Sequence, residues 1–501
     1  MNLPISSFDL AIVLLYMGAA LALGMWLARG QKSAEDYFLG GRSLPWWAVL
    51  LSTVATETST VTFLSIPGVA FVPGGDMRFL QITLGYVAGR LLTSWLLLPL
   101  YFQGEPYTSY EVLQRRFGVA MRRACSCLFL VTRNLSDGLR LYLTALVLQA
   151  ALGLDLPTCV VGLAVVTIGY TFMGGVRSVI WNDCIQLVVY LVGAVAALYV
   201  IISSLPEGWP EFWRFAKAEN KLQVFDFDFS LTKPTMTFWG GLVGGAFLTA
   251  ATHGADQLMV QRFLAARSQT GARAALVLSG VMVMMQFALF LLIGVGLAAF
   301  YRDFPPASGE TLAGDRAFAD FIVHHLGVGL VGVTLAAVFA AAMSTLSSSL
   351  NSSATALVSD LWKPLRGGQM EADEELRLGR IATIGFGALQ AAIALLSYFR
   401  GADASIVKQV LAIAGFATGP MLGVYILGIS TRRIRQSEAM FGLIAGVSSL
   451  AALSQLEKTS FWPWEPIQWA WYAAIGAIAT VSWAWGLYAI SGNSKSEPSG
   501  A

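Results

Sequence analysis

Residues 46–71 read WWAVLLSTVATETSTVTFLSIPGVAF, an apolar run that carries Ser52, Thr53, Thr56, Glu57, Thr58, Ser59, Thr60 and Thr62 in its middle and Pro67-Gly68 beyond. Hydrocarbon offers a loose backbone no hydrogen-bond partner, so an interrupted helix persists in a membrane only where protein or a water-filled cavity satisfies the freed groups. Isolated Ser and Thr usually bond back to their own helix. Eight polar residues in eleven, one a carboxylate, exceed what packing requires. The run is expected to break mid-membrane and to mark a site.

The rest of the chain supplies the membrane setting. Of its 501 residues 56% are hydrophobic and 12% charged, with a mean hydropathy of +0.64, a composition outside the range of soluble globular domains. Apolar runs of about 20 residues, each able to cross a ~30 Å hydrocarbon core, recur along its length. They fall at about 8–28, 45–72, 77–102, 123–150, 156–173, 177–204, 236–260, 274–301, 327–359, 378–399, 405–430, 437–455 and 467–490, which predicts an all-α polytopic membrane protein of thirteen helices. The N-terminus has no basic region before its first apolar run, so that run is expected to stay as a membrane helix.

With the N-terminus outside, nineteen Lys and Arg fall in inward loops and ten in outward ones, while Arg90, Arg133 and Arg140 lie inside spans. This bias predicts N-out and C-in. The net charge of +2 is spread over many loops, which argues against a nucleic-acid surface. Cys125, Cys127, Cys159 and Cys184 lack metal-site spacing and are expected as small core residues. Outward loops at 205–235 and 302–320 suit short surface helices, and the small, polar tail SGNSKSEPSGA is expected to be disordered.

Five spans after the first interruption, the run FWGGLVGGAFLTAATHGADQLMVQRF is broken by Gly240, Gly241, Gly244, Gly245 and Gly254 and carries His253 and Asp256. Broken helices five spans apart suggest a five-plus-five inverted repeat. The ninth span, AAVFAAAMSTLSSSLNSSATALVSDLW, places Ser344, Ser348 and Asn351 on one helical face with Thr345 beside it. Sodium wants several oxygen ligands, and hydroxyls with unpaired carbonyls provide them at no net charge, by the logic that governs other hard cations.

These residues resemble the sodium:solute symporter family, whose members carry sugars, sialic acid, proline, vitamins, iodide and monocarboxylates. The resemblance rests on DYFLGGRSLPWWAV (Asp36–Val49), the run at 46–71, GGVRSVIWNDCIQ (Gly174–Gln186), DQLMVQR (Asp256–Arg262), AAAMSTLSSSLNSS and GFATGPMLGVYILG (Gly415–Gly428), in family order. It implies a leucine-transporter-type fold with an extra helix in 1–44, a core at 45–430 made of repeats 45–204 and 236–430, and two further helices in 431–501. It implies a main sodium site of the Ala55, Thr58 and Ala341 carbonyls and the Ser344 and Thr345 hydroxyls, and in some members a second sodium, here at Asp183, Ser347 and Ser348. An Asp near a helix start can equally cap it.

The solute is expected at the midplane between the broken helices, with Glu57, Ser59, Thr62, Gln81, Asp137, Arg140, Thr252 and His253 as candidates. Glu57 can touch solute, shape the break or pair with a base such as Arg140, while Asp137 and Arg140, three apart, can satisfy each other. In the sialic-acid branch an Arg holding the substrate carboxylate aligns with Ser136, so the chain departs from that branch there. The expected function is secondary active, sodium-coupled symport of a small organic solute in a bacterial inner membrane. Proton-coupled or uncoupled transport on the same scaffold is the alternative. A membrane-embedded enzyme or sensor is disfavoured, because the spans hold no HExxH, GxSxG or paired catalytic Asp motif.

Overall fold

A computed structural model describes residues 5–29, 33–104, 106–305, 312–400, 406–459 and 461–493. The polar tail from 494 onward lies outside the described residues. Among the described residues the protein is helical, with a single isolated bridge between Leu44 and Ala266 in place of a sheet. In chain order, α1 (Ser7–Ala28) is followed by the two halves of the polar-centred run, α2 (Trp46–Glu57) and α3 (Thr60–Phe71), then by α4 (Gln81–Leu96), α5 (Val119–Leu152) and α6 (Leu156–Ser203). The second half supplies α7 (Gly245–Gly254), α8 (Gln257–Leu264), α9 (Gln269–Asp303), α10 (Leu330–Ala356), α11 (Ala372–Phe399), α12 (Ile406–Ser430), α13 (Gln436–Leu456) and α14 (Tyr472–Asn493).

Among the described residues, seven stretches are long and apolar enough to cross a membrane: α1, α6, α9, α10 with its continuation to Leu365, α11, α13 and Trp469–Ser491. Taken together, α2 and α3 make an eighth span, bent by 59°. Other expected spans fold into shorter pieces. Residues 77–102 form a 3-10 turn, α4 and the short helix Leu98–Tyr101. Residues 236–260 form a π turn at Gly240–Gly244, α7 and the start of α8. The segments expected as outward loops carry the short helices Trp209–Ala218 and Gly314–His324.

α10 is the centre of the molecule. The most apolar window of its span is 89% buried against 22% for that of α1, and α6 packs along it more extensively than any other helix. A helix this rich in Ser and Thr survives because its hydroxyls return to its own carbonyls, Ser348 to Ser344 at 2.6 Å, Ser352 to Ser349 at 3.1 Å and Thr355 to Asn351 at 2.8 Å. Its N-terminus is capped from another helix. The Asp9 carboxylate of α1 accepts from the N–H groups of Gly329 and Gly332, each at 2.7 Å, satisfying donors that a helix start leaves orphaned.

The loop after α6 grips the end of α3. Buried Lys221 donates to the carbonyls of Ala70, Phe71, Val72 and Gly75 at 2.8–3.3 Å, a cation at the negative end of the helix dipole. Gln81, expected near solute, instead ties this loop down. Its amide donates to Met236 O at 2.9 Å and accepts from Asp226 N at 3.0 Å. Cys125, Cys159 and Cys184 are buried as expected, but Cys127 is exposed on the outer face of α5.

α6 spans 48 residues, about 72 Å at 1.5 Å per residue and over twice a bilayer core. It is interrupted at Gly175, whose φ of 51° and ψ of −155° no side-chain-bearing residue adopts readily. A Cβ there would also lie 2.4 Å from the Tyr37 carbonyl oxygen. Gly175→Ala is expected to destabilise the protein by about 1–3 kcal/mol, measured as a lower unfolding midpoint in detergent; an unchanged midpoint would mean that this break is dispensable.

Candidate ion and solute site

The chain leaves helical geometry at Thr58 (φ −87°, ψ 87°) and Ser59 (φ −82°, ψ 170°). In an unbroken helix the Ser59 N–H would reach the Ala55 carbonyl; here it turns to Glu57 O at 3.2 Å. Hydroxyls of α10 take up the vacated acceptors. Ser344 Oγ donates to Ala55 O at 2.9 Å and Thr345 Oγ1 to Thr56 O at 3.0 Å, and both stand within 3.4 Å of their own Ala341 O. All of these residues are buried.

Ala55, Ala341, Ser344 and Thr345 are thus brought together. The carbonyl that Thr345 reaches is that of Thr56, which the sequence reading missed. Thr58 sits at the break with its hydroxyl on Val54 O and Gln286 Oε1, each at 3.0 Å. Oxygens that hold a hard cation at about 2.3–2.6 Å stand roughly 3.3–3.7 Å apart at right angles. The observed oxygen separations of 2.9–3.4 Å need only a slight widening to accept one.

One turn further along α10, a guanidinium fills the gap between helices. Arg262 of α8 donates to Ser52 at 3.0 Å, to Thr56 at 2.5 Å, to Asp183 Oδ2 at 3.3 Å and to Ser348. The same Asp183 oxygen accepts from Ser52 at 2.5 Å and Thr56 at 3.2 Å. Asp183 is therefore the anchor of a buried ion pair rather than a helix cap, and Arg262, taken from sequence as an inward-loop charge, is 2% exposed. Ser348 joins this network, whereas Ser347 turns to Ser344 O at 3.3 Å. Asp183 Oδ1 is buried without a hydrogen-bond partner.

The solute candidates divide. Glu57 pairs with Arg90 of α4, not with Arg140. Arg90 also donates to Ser279 at 2.6 Å and Thr249 at 3.4 Å. His253 joins this group, its Nδ1 3.0 Å from Thr252 Oγ1 and 3.2 Å from Thr249 Oγ1 and its Nε2 3.7 Å from Glu57. Glu57, Thr252 and His253 therefore meet between α2 and α7. Ser59 is buried and Thr62 half-buried on the first turn of α3.

Arg140 and Asp137 do satisfy each other, at 2.7 Å along α5. Arg133, one turn earlier, takes Asp256 at 2.7 Å. Asp256 caps α8 through Leu258 N at 2.8 Å, so the second broken helix opens after Gly254 and not at the glycine pairs. Those glycines serve close packing instead: a Cβ on Gly241 or Gly245 would lie 2.7 Å from the backbone of α4. Arg90, Gln286 and Arg262 are the polar contributors that sequence reasoning overlooked. The signal for Arg90 was its position mid-span, since an arginine at that depth needs a carboxylate.

Comparison with known proteins identifies the scaffold. The profile of the sodium:solute symporter family matches residues 37–446. The sodium/sialic acid symporter NanT of Aliivibrio fischeri is 30% identical over 93% of this chain and 90% of its own length. The human sodium/iodide cotransporter is 29% identical over 88% of this chain and 69% of its own. Among solved structures, a sodium-coupled sialic acid symporter in a substrate-bound outward-open state superposes with a TM-score of 0.86 at 27% identity, covering 97% of this chain and 98% of that one. Mhp1, a nucleobase-cation-symport-1 transporter, shares the fold with a TM-score of 0.56 at 15% identity, over 91% of this chain and 95% of its own.

Breaking a buried ion pair from one side leaves an uncompensated charge. Arg90→Met is expected to lower unfolding stability by about 3–5 kcal/mol, while Arg90→Met combined with Glu57→Gln recovers most of the loss. Denaturant unfolding of the four-member cycle in detergent tests this. Equal losses in the single and double variants would show that the pair carries none of the effect.

Proposed function

The chain belongs to the sodium:solute symporter family, and on that premise we propose a site-level account of how it couples sodium to a small organic solute. It is a multi-pass membrane transporter that performs sodium-coupled symport, and sodium is co-transported cargo. The thirteen spans form a five-plus-five inverted repeat over 45–430, preceded by the extra helix of 1–44 and followed by the two helices of 431–501, with the N-terminus outside and the C-terminus inside a bacterial plasma membrane. The charge bias of the loops and the two broken helices support this arrangement.

The main sodium site comprises the carbonyls of Ala55, Thr56 and Ala341 and the hydroxyls of Ser344 and Thr345, with Thr58 at its edge. A single observation carries this reading: those hydroxyls already bridge α10 to the carbonyls released by the break. Sodium from outside replaces two hydroxyl protons as the partner of these oxygens, clamps α2 to α10 and favours the solute-binding state. Inside, where sodium is low, the clamp opens. The membrane potential adds ~2.3 kcal/mol per charge per 100 mV. A second sodium at Asp183, Ser347 and Ser348 has the partnerless Asp183 Oδ1 in its favour, and Arg262 must then give way.

Around the expected solute position the charges cancel. Arg90, Arg133, Arg140 and Arg262 are matched by Glu57, Asp256, Asp137 and Asp183, and Ser136, which the resemblance aligns with the carboxylate-binding arginine of the sialic-acid branch, is buried. A site with no surplus charge suits a solute of no net charge, a polyol or a zwitterion. Glu57, Ser59, Thr62, Thr252 and His253 line it from the broken helices, and Asp137 and Arg140 from α5.

Two outcomes are expected. Sodium, against potassium or choline at equal ionic strength, should raise the thermal midpoint of the wild type, and Ser344→Ala with Thr345→Ala should abolish that difference; cation-independent stability in the wild type would sink sodium binding here. In proteoliposomes on a supporting membrane, uncharged or zwitterionic solutes should evoke an inward sodium-dependent current. Currents with carboxylate solutes alone would overturn the charge-balance reading.

A further inference from the structure

The connection between α12 and α13 reads STRRIRQSE (Ser430–Glu438) and displays Arg432, Arg433 and Arg435 in exposed positions. It is held in one shape from beneath. Arg116, on the short helix Ser109–Phe117, donates to the carbonyls of Thr431 at 2.8 Å and Ile434 at 2.9 Å, and Arg433 N bonds Thr431 Oγ1 at 3.1 Å. Partial burial, and after it the adjacent Arg432 charge, pull the Arg116 pKa below its ordinary value. The ion pairs formed among the described residues on this side leave all three exposed arginines without a carboxylate. Glu438, the acid nearest in sequence, is buried and spent on the Arg435 N–H at 2.7 Å.

Beside this turn lies a surface recess of about 460 Å³ lined by Ala120, Arg435, Gln436, Ser437 and Met440. The opening turn of α13 adds the positive end of its dipole. From the recess an apolar stripe runs down α13. Ser437, Phe441 and Ile444 share one face, with Phe441 41% and Ile444 59% exposed on a helix apolar enough to span a membrane. A cationic mouth above a lipid-facing apolar stripe has the chemistry of an anionic phospholipid, phosphate above and acyl chain below.

We propose that this recess binds the headgroup of an anionic phospholipid of the adjoining leaflet, which the charge bias makes the cytoplasmic one. Arg435 and Ser437, which line the recess, hold the phosphate, Arg432 and Arg433 add positive charge from the adjoining turn, and one acyl chain follows Phe441 and Ile444. Such a lipid neutralises the crowded guanidinium groups and fastens α13, which packs mainly on α12 and α14, to the body of the protein.

The test uses the full-length protein, delipidated in detergent, with phosphatidylglycerol, phosphatidylcholine or inorganic phosphate added separately. Phosphatidylglycerol should bind roughly tenfold or more tightly than phosphatidylcholine by native mass spectrometry and should raise the thermal midpoint where inorganic phosphate does not. A variant carrying Arg432→Gln, Arg433→Gln and Arg435→Gln should lose the preference, and Arg214→Gln in the opposite loop should keep it. Equal binding of the two lipids by the wild type overturns the proposal even if the triple variant fails to fold. Retained preference in the folded triple variant also overturns it, and stabilisation by inorganic phosphate alone reassigns the recess to a free anion.

Discussion

Two backbone carbonyls, those of Ala55 and Thr56, lose their helical partners where the chain opens at Thr58 and Ser59, in surroundings that offer no water to replace them. A lost hydrogen bond at that depth costs several kcal/mol per group, so the break can exist only opposite a donor. Ser344 and Thr345 are those donors. Their helix must therefore run through the middle of the protein, and every other helix is arranged around that need. Asp9 fixes the start of α10, Lys221 fixes the far end of α3, and α6 covers the length of α10. In the sodium site proposed above, the hydroxyls that satisfy the backbone are the groups that would turn to the ion, because a hydroxyl oxygen serves as donor to a carbonyl or as ligand to a cation.

The same low dielectric explains the charges. A lone guanidinium or carboxylate inside the membrane is too costly to keep, and each deep arginine has found an acid on a different helix or one turn away. These pairs are weak sources of net stability, since desolvation cancels much of the attraction. Their effect is on specificity: α4 is registered against α2, α5 against α8, and α8 against α6. A transporter that must move its helices past one another gains from contacts that are strict in geometry and modest in energy.

The neutral balance also bears on cargo. Here each deep arginine already has an acid beside it. On the proposed assignment, sodium is the charge that responds to the membrane potential, through the oxygens gathered at the break.

Much of this was legible in the residues themselves. Hydropathy periods announce a membrane protein because hydrocarbon tolerates few alternatives to a helix. The density of hydroxyls at 52–62 and 344–353 announces the break and its partner because isolated hydroxyls never need such company. Local spacing also offered Asp137 as a partner for Arg140, a neighbour along one helix, and the structure takes that option. Pairings between helices were another matter. Nothing in the order of residues says that Glu57 meets Arg90 and not Arg140, that Arg262 turns inward to Asp183, or that Gln81 serves a loop. Those choices depend on which faces adjoin after packing, and a carboxylate accepts any base within reach. The sequence by itself determined the solvent, the helical class and the place where one helix must open; the tertiary structure decided which partner each buried charge and freed carbonyl receives, because that is a question of distance in space.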